Sequence, residues 1–164
     1  KQYFAATLDA AKEPYEKETE TREALQRLLR KKGEIEIESL AAKATGIRNG
    51  KRLYGRIILT TIRDSKGQCL NIPYRTLDSI QKTVIASDKE ATRVLFGLTD
   101  CYREGKWAVA VRAIESQDFV KAEISNIPWK ALREIQEKIM SSCPTVGAVY
   151  YDITPKPPAT IEFE

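Results

Sequence analysis

Histidine is absent from the 164 residues, cysteine occurs three times and methionine once. Without imidazole the chain cannot assemble a cysteine–histidine catalytic pair, and no histidine is available to complete a zinc site. The cysteines, Cys69, Cys101 and Cys143, lie far apart with no C-x-x-C pair, and read as reduced packing residues of a cytoplasmic protein. A catalytic thiol needs a neighbouring base, and the sequence offers none. No apolar run approaches the about 18 residues that a membrane-spanning helix requires, so neither a membrane partner nor secretion is expected. No metal and no cofactor is expected either. The chain begins at Lys1 rather than a methionine, which leaves room for an upstream piece.

Charge is nearly balanced, +4 from 27 basic and 23 acidic residues, too little to imply polyanion binding by itself. Its distribution is more telling. From Arg48 to Lys66 the basic residues are Arg48, Lys51, Arg52, Arg56, Arg63 and Lys66, against the single acid Asp64. Such a block can face phosphate, or form an ordinary solvated face.

Periodicity suggests an α+β fold: a small sheet covered by a long helix, preceded by a mainly helical N-terminal part. Phe4 and Leu8 suit a short helix ended by Pro14. Residues 15–32 carry Ala24, Leu25, Leu28 and Leu29 as a helical stripe, with acids ahead of bases and Gly33 as the stop. A further short helix is expected over 38–45, closed by Gly46. Residues 49–63 suit a helix by the spacing of Leu53, Ile57, Ile58 and Ile62, and a strand by β-branching. A helix is expected over 76–86.

The second half reads more cleanly. Strands over 92–102 and 107–116 flank Arg103-Glu104-Gly105-Lys106, a hairpin turn with glycine at positive φ. Ala108, Ala110, Arg112 and Ile114 share one strand face, and Trp107, Val109, Val111 and Ala113 the other. Asn126 and Pro128 open a helix with Leu132, Ile135, Ile139 and Met140 as its buried stripe. A strand over 146–154 and a short last one over 160–163 complete the chain. The implied domains are 1–90, mainly helical, and 91–164.

Two strings stand out. The chain ends Tyr151-Asp152-Ile153-Thr154-Pro155-Lys156-Pro157-Pro158-Ala159-Thr160-Ile161-Glu162-Phe163-Glu164, three prolines around one lysine. Proline fixes φ near −65°, so Lys156 is held by a stiff segment before anything binds. Upstream, Val109 to Phe119 includes Arg112-Ala113, Glu115 and Asp118-Phe119. Together these resemble the C-terminal dimerisation domain of glutamine-hydrolysing GMP synthase, whose chains end in a KPP[AG]T-E-W-E string after a YD[IL][TS] strand and carry an LRA-E-DFM string earlier. The resemblance spans about 96–164. Departures are Phe163 for the usual tryptophan and Pro155 for the usual serine before the lysine.

The resemblance implies that Lys156 helps hold the 5′-phosphate of xanthosine monophosphate, joined by Arg112. It places Ile161 and Glu162 near the purine base, counts Thr160 among the substrate-binding residues, and leaves Arg103 as the equivalent of an arginine in the family's loop between the two matched strands. It further implies a homodimer, and a catalytic ATP-pyrophosphatase partner, because the ATP-binding loop is absent here. On this reading the domain holds a nucleotide and is not catalytic alone. The residues by themselves also allow Arg112 to pair with Glu115 or Asp118, and Lys156 to be a solvated loop lysine. Two other functions stay open. One is a nucleic-acid-binding regulator, in which a helix-turn-helix-like segment at 39–66 presents Arg48, Lys51, Arg52 and Arg56 to phosphates. The other is a purely structural assembly module.

Overall fold

The computed structural model describes residues 1–30 and 33–164. Its elements run β1 (Gln2–Asp9), β2 (Lys12–Glu13), α1 (Glu18–Leu29), β3 (Glu34–Arg48), β4 (Lys51–Arg63), α2 (Tyr74–Ser87), β5 (Ala91–Gly97), β6 (Trp107–Ser116), β7 (Ala122–Ile124), α3 (Trp129–Ser142) and β8 (Val146–Asp152). The strands form one eight-stranded mixed sheet in the order β1-β6-β8-β5-β4-β3-β2, with β7 added to β6.

This overturns the expected small sheet under one long helix, and the mainly helical N-terminal part with it. The first ninety residues contribute four strands and two helices, and β4 pairs directly with β5 across the expected domain boundary. Phe4 and Leu8 misled because an i, i+4 pair lies on one face of a strand as well as of a helix. The alanine-rich stretch 38–45 favours helix locally, but Leu40 and Ala44 bury inside the sheet and the segment pairs with β4, so tertiary pairing wins. The stripe at 15–32 is helical over Glu18–Leu29 with Glu18 and Glu20 in its first turn and Arg27 in its last; residues 31 and 32 lie outside the described part.

The two edges of the sheet are bridged by a single segment. β1 pairs with β6 at one edge and β2 with β3 at the other, while the Ala10 amide donates to the Lys106 carbonyl and the Ala41 amide to the Ala11 carbonyl. The sheet is thereby rolled into a barrel. Inside it lie Leu40, Ala44, Ile57, Leu59, Leu95, Ala108, Ala110, Ala148 and Tyr150; outside, the helices cover Ile58, Ile62, Val94, Phe96, Val109, Val149 and Tyr151. The face assignment for 107–113 agrees with this division. Each such buried aliphatic side chain contributes roughly 1.5–3 kcal/mol, so both layers matter to stability.

A tandem repeat underlies the arrangement. β4 and β5 are parallel and joined through α2; β6 and β8 are parallel and joined through α3. β5 and β8 meet antiparallel with Phe96 opposite Tyr151, and Tyr151 follows Phe96 by 55 positions. The same spacing separates Arg48 from Arg103, Asn71-Ile72-Pro73 from Asn126-Ile127-Pro128, and Thr99 from Thr154. A local twofold axis therefore passes between Phe96 and Tyr151. Both crossover helices start directly after proline, Pro73 and Pro128, whose fixed φ of −56° suits the entry; Asn126 makes no side-chain cap.

The expected hairpin of the 92–102 and 107–116 strands does not form, because β8 lies between β5 and β6. Gly105 is required there for close approach rather than for positive φ: a Cβ would come within 2.5 Å of the Gly147 nitrogen. The last ten residues make isolated bridges at Lys156 and Ala159 but no strand. Of the cysteines, Cys69 is buried whereas Cys101 and Cys143 are exposed, so only one packs. Among the described residues no helix is long and apolar enough to cross a membrane.

Candidate functional site

After β8 the chain turns back across one mouth of the barrel. The tail is tied along its length: the Ile47 amide donates to the Pro158 carbonyl, the Thr45 amide to the Glu164 carbonyl, and Lys156 exchanges backbone hydrogen bonds with Ala122 of β7. Arg52 pairs with the Glu164 carboxylate at 3.0 Å.

Beneath the tail lies a buried ionic cluster. Inward-facing positions of three adjacent strands carry Arg112 (β6), Asp152 (β8) and Arg93 (β5), all 0% exposed. Asp152 lies 2.8 Å from Arg93 and 3.0 Å from Arg112. Arg112 spends its other donors on backbone: its Nε donates to the Ile161 carbonyl at 2.9 Å, and its terminal nitrogens to the carbonyls of Thr154 and Thr160. Arg93 donates to the Thr160 hydroxyl and the Glu162 carbonyl, and its guanidinium lies 4.4 Å from the Phe163 ring centre. Within the cluster the Arg93 Nε alone lacks a partner among the described residues. Burial alone would raise the Asp152 carboxyl, but the Arg112 and Arg93 guanidinium groups, with hydrogen bonds from Thr154, hold it below the usual carboxylate range.

The convergence expected of Arg112 and Lys156 on one phosphate takes a different form. Arg112 is closed off from solvent and engaged, neither by Glu115 nor by Asp118 but by Asp152 and the tail's own carbonyls. It determines where the tail runs. Lys156 lies on the outer side, its Nζ donating to the Phe119 carbonyl in the 117–121 loop. Among the described residues no carboxylate pairs with it. Thr160 is buried in the cluster, Ile161 is half-buried and Glu162 exposed.

Arg103 is not part of this mouth. Its guanidinium donates to the carbonyls of Met140, Cys143 and Val146, closing the C-terminal end of α3. Arg48, its counterpart 55 positions earlier, does the same for α2 through the carbonyls of Ile85, Asp88 and Ala91. Three of the four residues expected to face nucleic acid, Arg48, Arg52 and Arg56, thus have structural employment. Arg56 pairs with Asp88 at 2.7 Å and Glu90 at 3.0 Å, Arg52 holds Glu164, and of the four only Lys51, at the β3–β4 turn, pairs with no carboxylate or carbonyl among the described residues. Residues 39–66 are a strand hairpin and its exit, with no helix-turn-helix.

Sequence reasoning missed Asp152 and Arg93, the partners that make Arg112 intelligible. Their signal was alternation: both occupy inward positions in strands otherwise filled by apolar residues, where a charge needs an opposite charge.

Comparison with known proteins bears on the same segment. Residues 97–163 match the GMP synthase C terminal domain. The chain is similar to a subunit of the glutamine-hydrolysing GMP synthase of Saccharolobus solfataricus, 40% identical over 123 residues, which is 75% of this chain and 30% of that protein. The subunits of the same name from Methanopyrus kandleri and Methanocella arvoryzae are 53% identical over 62 residues and 55% identical over 58, covering 38% and 35% of this chain and 20% and 19% of theirs. The matches take in no more than 30% of each relative's length. The resemblance read from the proline-braced tail and the Arg112 strand therefore holds: residues 97–163 are similar to the GMP synthase C-terminal domain.

Proposed function

We propose that this chain is a nucleotide-holding domain of a GMP-synthase-type assembly, in which Lys156 meets the phosphate of an XMP-type purine monophosphate while the Thr160–Ile161–Glu162 backbone lies along the base. The observation that carries the reading is the position of Lys156. It is a cation without a carboxylate partner among the described residues, on a segment whose path is fixed from below by the buried Arg112–Asp152–Arg93 cluster. Preorganisation of this kind lowers the ordering cost of binding. Arg112 acts as a positioning residue for the tail and touches no ligand.

The domain makes no GMP by itself. Activation of the base by ATP is left to an ATP-pyrophosphatase partner, consistent with the partial span of the match to the synthase subunits. We infer that the pairing expected as a homodimer is met within the chain by its two repeats, which face each other at Phe96 and Tyr151. Light scattering is expected to give the mass of one chain at micromolar concentration, and a dimer mass would overturn internal pairing.

Titration calorimetry tests nucleotide binding. Xanthosine monophosphate is expected to bind more tightly than inosine monophosphate, and Lys156→Ala to weaken it by about 1.5–3 kcal/mol, the worth of one charged hydrogen bond. Absence of heat at millimolar nucleotide, or equal binding by Lys156→Ala, would reject the reading.

A further inference from the structure

The local twofold axis maps the tail-filled mouth of the barrel onto the opposite mouth, which no tail covers. Strand register identifies the counterparts. Thr60 is opposite Phe96 and Val111 opposite Tyr151, so Thr61 stands where Arg112 stands in the other repeat. Gly97 and Ala148 occupy the places of Asp152 and Arg93, each at the 55-residue spacing. Three charged side chains are thus replaced by a hydroxyl, a hydrogen and a methyl. The volume they give up is only partly refilled. Tyr102 reaches in, its hydroxyl 2.7 Å from the Thr61 Oγ1 and its ring 4.6 Å from the Arg63 guanidinium, much as Phe163 lies on Arg93 at the other end. What remains is a cavity of about 260 Å³ bounded by Leu40, Leu59, Ala108, Ala148, Tyr102 and Tyr150.

We propose that this second mouth is a binding site for a neutral heteroaromatic molecule of one or two fused rings. Size, lining and charge point the same way. An apolar cavity of roughly 150 Å³ accepts benzene, so this one has room for a bicycle such as a purine base. Its walls are aliphatic groups and two tyrosine rings, which favour a flat ring over a flexible chain. The cations at its rim are already committed: Arg103 donates to the carbonyls of Met140 and Cys143 at the α3 end and of Val146 at the start of β8, and Lys12 pairs with Glu38 at 2.8 Å. A phosphate or carboxylate would find no free countercharge among these groups. Tyr150, 2% exposed, keeps its proton because burial pushes its phenol far above the ordinary value, so it presents a neutral hydroxyl. The ligand class also matches what the twin mouth holds, a single aromatic ring from the tail.

The test is methyl- and aromatic-detected NMR of the whole chain, titrated with adenine as probe and with benzoate as the charged control. Adenine is expected to shift the Ala108 and Ala148 methyl signals and the Tyr102 ring signals saturably at millimolar concentration, and benzoate to leave them unmoved. Ala148→Leu, which fills the cavity, is expected to abolish the shifts, and Tyr150→Phe to weaken binding several-fold with unchanged thermal stability. Lys156→Ala is expected to have no effect, which separates this site from the nucleotide site on the tail. If Ala148→Leu does not fold, Ala108→Leu serves in its place. The proposal fails if adenine moves no cavity signal, if the shifts survive cavity filling, if benzoate binds equally, or if the same signals shift with protein concentration alone, which would make the occupant a second copy's side chain.

Discussion

Tyr74 and Trp129 exchange hydrogen bonds across the two repeats: the Tyr74 hydroxyl donates to the Ile127 carbonyl at 2.6 Å, and the Trp129 indole N–H donates to the Ile72 carbonyl at 3.0 Å. Each acceptor is the carbonyl that precedes the other repeat's helix-opening proline. The rings stack at 6.3 Å between centres, and each also meets a ring at the axis, Tyr74 against Tyr151 and Trp129 against Phe96. The pair joins the start of α2 to the start of α3, so the two crossover units are held in register by residues that sit at equivalent places in the repeat.

Breaking one half of this exchange is expected to weaken the other. Tyr74→Phe removes the bond to Ile127 and leaves that carbonyl without its donor, a loss of about 1–2 kcal/mol. Trp129→Phe does the same to Ile72 and also loses packing area. The double variant is expected to cost less than the two singles added, by at least about 0.5 kcal/mol, because the rings touch. Urea unfolding of all four proteins measures this. Strict additivity would mean that the repeats are joined elsewhere.

Acid stability is expected to depend on Asp152. Its folded pKa lies below that of the unfolded chain, about 3.9 for an ordinary aspartate. The carboxylate therefore contributes stability that is complete above about pH 4 and is lost as the pH falls through the folded value. Asp152→Asn is expected to leave two buried guanidinium groups uncompensated and to cost about 3–5 kcal/mol at pH 7. Urea midpoints between pH 7 and pH 2 check both parts. An Asp152→Asn protein as stable as the parent would show that the cluster does not hold the tail.

Gly46 links the tail to β3 by space alone. A Cβ at this position would lie 2.5 Å from the Pro158 carbonyl oxygen and 2.6 Å from the Thr92 Cβ, neither of which can yield without moving backbone or strand. Gly46→Ala is expected to cost about 1–3 kcal/mol and to push the tail outward. Hydrogen exchange at the Ile47 amide, which donates to Pro158, should then accelerate. Unchanged protection would mean that the tail keeps its seat despite the added methyl.

The sequence made some of this legible. Pro73 and Pro128 ahead of apolar stripes announced α2 and α3, and the alternation through Trp107–Ser116 divided β6 into its inner and outer faces. The tail's stiffness was likewise visible in Pro155, Pro157 and Pro158. Other elements were not, for physical reasons. The 38–45 stretch is alanine-rich and locally helical in preference, and only pairing with a distant partner makes it a strand. That β8 inserts between β5 and β6 depends on a partner more than thirty residues on, which local turn chemistry at Arg103–Lys106 could not reveal. The repeated Asn-Ile-Pro-aromatic string at 71–74 and 126–129 was the strongest available clue to the tandem design, and a comparison of the chain with itself would have found it.

Two basic residues, both assigned to the ligand by the family resemblance, are expected to separate cleanly when mutated. Arg103 is tied to the Met140 and Cys143 carbonyls at the end of α3 and to the Val146 carbonyl at the start of β8, so Arg103→Ala leaves these acceptors unpaired and is expected to lower stability by about 1–3 kcal/mol while nucleotide binding, measured on the folded protein, stays unchanged. Lys156 makes one side-chain contact, to the Phe119 carbonyl on an exposed loop, and its loss is expected to change stability by about 0.5 kcal/mol or less while abolishing most of the affinity for xanthosine monophosphate. Paired urea unfolding and calorimetry on the two variants give four numbers, and the expected pattern is a crossed one. A Lys156→Ala protein that is strongly destabilised would make the lysine a brace of the 117–121 loop, and an Arg103→Ala protein that binds nucleotide poorly would return the arginine to the site from which its geometry removes it.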